Sequence, residues 1–248
     1  MGRVWIGTSG WSYKEWAKGF YPEGCRDELA YYVTQFATVE INATFYRLPT
    51  HAMVKKWREK APDGFVFAVK GSRFITHMKK LTHVAAGLRK YFGRINRLRE
   101  RTAAVLWQLP PFMQKDVPRL ERFLERLPKG FRHAVEFRHP SWMDEESCET
   151  LRRHGAALVW ISSLRMPMRC ELTTDFGYVR FHGLEGGAEH DYTDEELAPW
   201  AKEILGAAES GADMLVYFNN DKTVRAIGNA RTLQRMAGAA AERVRETE

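Results

Sequence analysis

The stretch VEINATFYR (39–47) sorts its residues by alternation: Val39 and Ile41 fall on one side of an extended chain, Glu40, Asn42 and Tyr46 on the other. Strand side chains change face at every residue, so each set shares one surface. Four more stretches repeat the device. FVFAVKGS (65–72) closes with Lys70 and Ser72 in phase, and HAVEFRH (133–139) sets Val135 and Phe137 against Glu136 and Arg138. YVRFHG (178–183) sets Val179 and Phe181 against Arg180 and His182, and MLVYFNN (214–220) sets Val216 and Phe218 against Tyr217 and Asn219. Laid side by side and parallel, such strands gather their polar ends at one mouth. A polar cluster of that kind is costly to bury without partners, which marks it as a place of use.

Outward from these stretches, strands are expected at 3–9, 39–46, 65–71, 103–109, 133–138, 157–162, 178–182 and 214–219, with helical patterns between most of them. Residues 82–100 carry Val84, Leu88, Phe92, Ile95 and Leu98 at three- and four-residue spacing, as an amphipathic helix requires. Residues 51–60, 117–127, 144–154 and 194–209 read likewise; Pro118 suits a helix start, and Thr193 with Glu196 reads as a capping box. The Ala- and Arg-rich tail, 225–246, reads as a closing helix. Strands alternating with helices predict a parallel sheet covered by helices, and about 250 residues is the usual size of a closed barrel. The expected fold is α/β, a (β/α)8 TIM-type barrel occupying 1–248 as a single domain. A doubly wound open sheet is the alternative, but neither GxGxxG nor GxxxxGK[ST] follows a strand.

The chain is 44% hydrophobic, enough for one large core, and no apolar run approaches the roughly 20 residues that span a bilayer. The opening MGRVWIGTSGWSY has no charged segment followed by an apolar one, so no signal peptide is expected and a cytoplasmic location is. Cys25, Cys148 and Cys170 are odd in number and far apart, which argues against a disulfide framework or a zinc cluster and for reduced thiols. The net charge of +7 is uneven: between Arg47 and Arg101, 15 Lys or Arg stand against 3 acids, leaving the rest of the chain net acidic. Such a block can attract phosphate-bearing partners; solvated helix faces would carry the same residues.

Seven motifs in order, GTSGWSY (7–13), VEINATFYRLP (39–49), FAVKGSRFITHMKKL (67–81), WQLPP (107–111), EFRHPSW (136–142), YVRFHG (178–183) and VYFNND (216–221), resemble the YecE-like family of bacterial and archaeal proteins of unknown function. The resemblance runs from Gly7 to Asp221 and implies a TIM barrel loosely related to the sugar-isomerase and endonuclease IV types. It implies no reaction. One stretch departs from the pattern: relatives often carry an Arg and a longer aromatic-rich segment after YVRFHG, where this chain has Leu184 and keeps Tyr192 before the helix cap.

In a barrel the active site lies at the C-terminal strand ends. Glu40 and Glu136, on strands two and five, can divide acid and base work across that mouth; equally, each can pair with Lys70, Arg138 or Arg180 in an ion network. Lys70 joins them as a catalytic candidate, and with Arg138 and Arg180 it forms an expected anion clamp. Arg73, His77, Lys79 and Lys80 extend the positive field. His182 is a further proton carrier. Trp11, Tyr13 and Tyr46 are placed to stack on sugar rings or unpaired bases, whereas Trp16, Trp107 and Trp142 are expected to pack helices onto the barrel. Asn42, Gln108, Tyr217 and Asn219 would orient hydroxyls. A divalent metal on Glu40, Glu136 and His182 is chemically admissible but supported by no motif, and the cofactor is unknown. These residues point to a hydrolase, lyase or isomerase for a phosphorylated sugar or a sugar-phosphate backbone. The alternative is a nucleic-acid-binding protein using 47–101, endonuclease IV-like. Either way the expected partner is an anionic small molecule or nucleic acid, not a membrane, and the oligomeric state is unread.

Overall fold

The computed structural model describes residues 1–244. Among them eight parallel strands alternate with helices: β1 (Val4–Thr8), α1 (Glu28–Tyr32), β2 (Thr38–Ile41), α2 (Ala43–Tyr46), α3 (His51–Lys60), β3 (Val66–Lys70), α4 (Ala85–Ile95), β4 (Thr102–Gln108), α5 (Val117–Leu124), β5 (His133–Glu136), α6 (Glu145–Arg153), β6 (Ala156–Ser162), β7 (Phe176–Phe181), α7 (Asp194–Glu209), β8 (Asp213–Phe218) and α8 (Arg225–Ala237). The strand order β1-β8-β7-β6-β5-β4-β3-β2 leaves β1 and β2 as the two edges. They meet at a bridge between Ser9 and Glu40, where the Gly10 N–H donates to the Glu40 carbonyl at 2.8 Å. Below that bridge a side chain stands in for the ladder: the Tyr32 hydroxyl accepts the Thr8 N–H at 3.0 Å and donates to the Thr38 carbonyl at 3.2 Å. The result is a nearly closed (β/α)8 TIM-type barrel.

Two apolar layers follow from the period-two alternation. Val4, Ile6, Val39, Ile41, Val69, Trp107, Phe137 and Phe181 face outward into the layer under the helices. Facing inward, Trp5, Phe176, Tyr178 and Tyr217 fill the space left by Ala68, Ala104, Ala134 and Ala157. The bulk comes from β1, β7 and β8 and the small residues from β3 to β6, so the interior is packed solid below its polar top. Trp16, Trp107 and Trp142 are buried in the outer layer, the last stacked on Phe137 at 4.6 Å between ring centroids.

Helices 51–60 and 194–209 stand where the sequence puts them. Thr50 caps α3 by accepting the Met53 N–H, and Thr193 and Glu196 form the capping box of α7. Three expectations need correction. Strand 39–46 stops at Ile41, because the Thr44 hydroxyl ties into the carbonyls of Ile41 (3.0 Å) and Lys70 (2.6 Å) and turns the chain into α2. Tyr46 therefore leaves the face of Glu40 and is 71% exposed. Helix 82–100 starts only at Ala85, since Lys80, Leu81 and His83 hold positive φ (47°, 68° and 52°), and its last turn tightens into a 3-10 helix. The closing helix ends at Ala237, before Gly238 at φ 56°; the chain then returns to β1, with the Glu242 N–H donating to the Val4 carbonyl at 2.7 Å. Residues 245 and 246 of that expected helix lie outside the described residues. No peptide bond among the described residues is cis, so Pro110 and Pro111 follow β4 in trans, and no helix among them is long and apolar enough to cross a membrane.

Gly71 sets the exit of β3. A Cβ there would stand 2.3 Å from the Trp107 ring, so only hydrogen lets the strand lie against that indole. Overpacking of this kind costs about 1–3 kcal/mol. Gly71→Ala is expected to lower the melting temperature by several degrees, at about 2–4 °C per kcal/mol for a domain of this size, as thermal unfolding followed by circular dichroism will show.

Candidate functional site

At the C-terminal end of the barrel the inward positions turn polar. Arg180 on β7 is completely buried between two carboxylates that are equally buried. Its Nη2 donates to Glu40 Oε1 at 2.7 Å and its Nη1 to Glu136 Oε2 at 2.6 Å. Glu40 also accepts from the Ser9 hydroxyl and from the Tyr178 hydroxyl, the latter at 2.6 Å. Glu136 accepts from Arg138 Nε. Asn219 Oδ1 takes a further Arg180 proton at 2.9 Å. The ion network is thus the arrangement these carboxylates adopt with Arg138 and Arg180. Burial alone would raise both carboxyls, but Arg180 and Lys70 hold Glu40 below the ordinary value, and Arg138 and Arg180 hold Glu136 well below it. Both stay ionised at neutral pH and are poorly matched to trading protons there.

His182 caps this network. Arg138 Nη2 lies 2.8 Å from its Nε2, and Glu136 Oε1 lies 3.3 Å from the same nitrogen. Burial, and then the neighbouring Arg138, push the ring down to about 3, so it is neutral and serves as an acceptor between guanidiniums. Tyr217 lies deeper, fully buried, with its hydroxyl 2.8 Å from Thr38 Oγ1. It braces the layer beneath the site and does not reach the mouth.

Beside the network lies a cavity of about 460 Å³, lined by Trp11, Tyr13, Asn42, Tyr46, Lys70, Asn219 and Asp221 among others. Lys70 ends β3 here. Its side chain is mostly covered and its Nζ stands 4.5 Å over the Phe45 ring. Among the described residues no acceptor lies within hydrogen-bond or ion-pair reach of that nitrogen. Burial, reinforced by Arg180, lowers its pKa to about 8 against the pull of Glu40 and Glu136. Asn42 donates from Nδ2 to Ser9 Oγ at 2.7 Å, while its Oδ1 is buried without a partner. Across the cavity the Tyr13 hydroxyl sits between the Ser9 carbonyl and the Asp221 carboxyl. The hydroxyl donates to both, sharing its one proton between the two acceptors. Burial raises Asp221 above its ordinary value, with the Tyr13 hydrogen bond opposing.

The fourteen residues that the sequence nominates therefore divide. Trp11, Tyr13, Asn42, Tyr46, Lys70 and Asn219 share the cavity. Glu40, Glu136, Arg138, Arg180 and His182 form the network beside and beneath it. Gln108 ends β4 in register with Glu136, Arg73 is exposed on the loop after β3, and Tyr217 is interior. Ser9, Tyr178 and Asp221 escape that reading, although alternation signals all three: Tyr178 is in phase with Arg180, Asp221 with Asn219, and Ser9 with Trp5. Glu40, Glu136 and His182 do not fit a metal, because Arg180 and Arg138 occupy the space between their donor atoms. Tyr192, the aromatic kept in the divergent loop, turns inward, its hydroxyl 2.9 Å from Ser162 Oγ and accepting the Gly183 N–H at 2.9 Å.

Residues 5–248 match the family described as "Protein of unknown function DUF72". The chain is 33% identical over 153 residues to the UPF0759 protein YecE of Escherichia coli, an alignment covering 60% of this chain and 54% of that protein, about half its length. It is 24% identical over 270 residues to the UPF0759 protein YunF of Bacillus subtilis, covering 93% of each. Among solved structures, a DUF72 family protein from Thermotoga maritima superimposes with a TM-score of 0.86 at 31% identity, covering 94% of this chain and 98% of that one. Another, from Enterococcus faecalis, gives 0.85 at 18% identity over 100% and 99% of the two chains, a likeness of fold.

Removing Arg180 leaves two carboxylates buried together. Arg180→Met is expected to destabilise by about 3–5 kcal/mol in urea unfolding at pH 7, and adding Glu40→Gln and Glu136→Gln to recover most of that loss. On the acid side the pH dependence is set mainly by groups whose pKa falls on folding, with Asp221, raised by burial, opposing them. His182 and His133 fall from 6.5 to about 3 and about 4 on folding, and Glu40 and Glu136 fall below 4.5. As pH drops, the unfolded chain takes up each proton first, so stability is lost. The melting temperature should decline from about pH 6.5 and steepen below 4.5. His182→Gln should flatten the upper part of that decline.

Proposed function

We propose that this chain, which belongs to the DUF72 family, is an enzyme acting on a small phosphorylated sugar held in the cavity beside Lys70. The observation that carries this reading is Lys70, a mostly buried lysine whose ammonium has no partner among the described residues, on the wall of a cavity that Asn42 also lines. Holding such a cation in a largely covered position without a partner costs free energy, and a ligand with a negative or carbonyl oxygen supplies the missing acceptor. Trp11 and Tyr46 offer ring faces for a sugar. The exposed Arg73, Lys79 and Lys80 on the loop after β3 bias the approach of a phosphate. Lys70, lowered to about 8, is the group whose pKa suits proton transfer near neutral pH, with the Tyr13–Asp221 pair lining the same cavity; Glu40 and Glu136 fix the field around them.

One observation favours a second reading, the binding of unpaired nucleotides. Tyr46, Phe74 and Phe112 are exposed in the segments that follow β2, β3 and β4, and Lys79 and Lys80 sit 5.7 Å and 5.2 Å from the centroids of Phe74 and Phe112. Exposed rings interleaved with cations are the surface that single strands stack on.

A thermal-shift panel separates the two. Sugar phosphates should stabilise the wild type, the effect should survive 0.5 M salt (roughly, well beyond the screening of exposed charges), and Lys70→Met should abolish it. A ligand at about 100 times its Kd adds about 2.7 kcal/mol, easily read as a shift. Stabilisation by oligonucleotides alone, fading with salt and with Lys79→Ala and Lys80→Ala, would replace the first reading by the second.

A further inference from the structure

We infer that the Lys70 amine is a nucleophile that condenses with a carbonyl carbon of the substrate, which makes the substrate an aldehyde or ketone and the intermediate a covalent imine. This rests on the cavity site proposed above and adds its substrate class.

The geometry gives Lys70 what an imine-forming lysine needs. Its Nζ is within no hydrogen bond or ion pair among the described residues, so loss of its proton exposes the lone pair without breaking either. It lies over an aromatic ring, 4.5 Å from the Phe45 centroid, on the wall of a cavity that can hold a small molecule. Its backbone is fixed at the strand end: the Lys70 carbonyl accepts from Thr44 Oγ1 at 2.6 Å and from the Tyr91 hydroxyl at 2.9 Å. Desolvated lysines near other cations are the ones that act as nucleophiles, because the neutral amine becomes accessible near neutral pH. Arg180 and Arg138 are the cations here, opposed by Glu40 and Glu136.

The step balances on residues of the cavity. The neutral Lys70 amine forms a C–N bond to the carbonyl carbon as the C=O π pair moves to oxygen, giving a carbinolamine once one proton passes from nitrogen to oxygen. That oxygen takes up a second proton, from the Asp221–Tyr13 pair across the cavity, and departs as water while nitrogen forms the C=N bond. The product is a protonated imine, which equilibrates with the neutral imine by returning its nitrogen proton to the donor pair. In sum, carbonyl plus amine gives imine plus water, with no oxidant or reductant. The protonated imine withdraws electrons from the neighbouring carbon, which suits a lyase or an isomerase and not a hydrolase.

The test uses the full chain, incubated with glyceraldehyde 3-phosphate, dihydroxyacetone phosphate or glycolaldehyde in the presence of cyanoborohydride. Intact mass should rise by one probe less one oxygen atom, and peptide mapping should place the adduct on Lys70. Labelling should rise with pH and level off above about 8, below the range of exposed lysines, and vanish in Lys70→Met. The wild-type map and its pH profile decide the matter even if that variant folds poorly. Adducts scattered over surface lysines, or none, would overturn the imine. Should sugar phosphates still raise the melting temperature while no adduct forms, the site stands and the covalent step falls. Should they do neither, both fall.

Discussion

A guanidinium sealed inside a barrel cannot give up its proton, so the fold must surround it with negative charge, and Arg180 imposes that condition here. Its two faces reach Glu40 on β2 and Glu136 on β5, across the width of the barrel. Each carboxylate is then filled by further donors, Ser9 and Tyr178 on one, Arg138 on the other. The same Glu40 belongs to the bridge with Ser9 where the edge strands meet. Barrel closure and charge neutralisation therefore share residues. Burying such a group instead of apolar side chains adds nothing certain to stability; what it does is fix the positions and charge states of everything at the mouth.

Lys70 draws its character from that arrangement. With the carboxylates claimed by arginines, the lysine gains attraction at a distance but no contact, and burial lowers its pKa. Gly71 and Trp107 hold the backbone of the strand end tightly. Asn42 and the Tyr13–Asp221 pair line the same cavity. The site thus combines a buried charged floor with a polar wall beside it, and the two are built from different residues.

The basic block from Arg47 to Arg101 is less uniform in space than in sequence. Arg58 pairs with Glu100, Arg101 with Asp63, Lys55 with Glu59, and Lys60 with Asp27, so part of the positive charge is met locally. What remains near the mouth lies on the loop after β3, where Lys79 and Lys80 cover exposed rings. That loop carries three non-glycine residues at positive φ, a conformation rarely held without a constraint. Its position places charge and aromatic surface together at the entrance.

Alternation was enough to read the barrel from the chain, because period two is a local property and survives whatever the strands pack against. It also put Glu40, Lys70, Glu136, Arg138, Arg180 and His182 on inward faces, and followed further along β7 and past β8 it reaches Tyr178 and Asp221. It failed at Tyr46, where the Thr44 hydroxyl bonds to a carbonyl on another strand; the helical spacing read from 82 likewise began too early, because residues at positive φ delay the helix to Ala85. The sequence by itself determined which residues face inward and at which end of the barrel they gather. Only the tertiary structure decided that Arg180 would take both glutamates, that Tyr217 would lie beneath the mouth, and that Lys70 would be left without a partner. Pairing among charges depends on distances across strands far apart in the chain, and no local pattern encodes those.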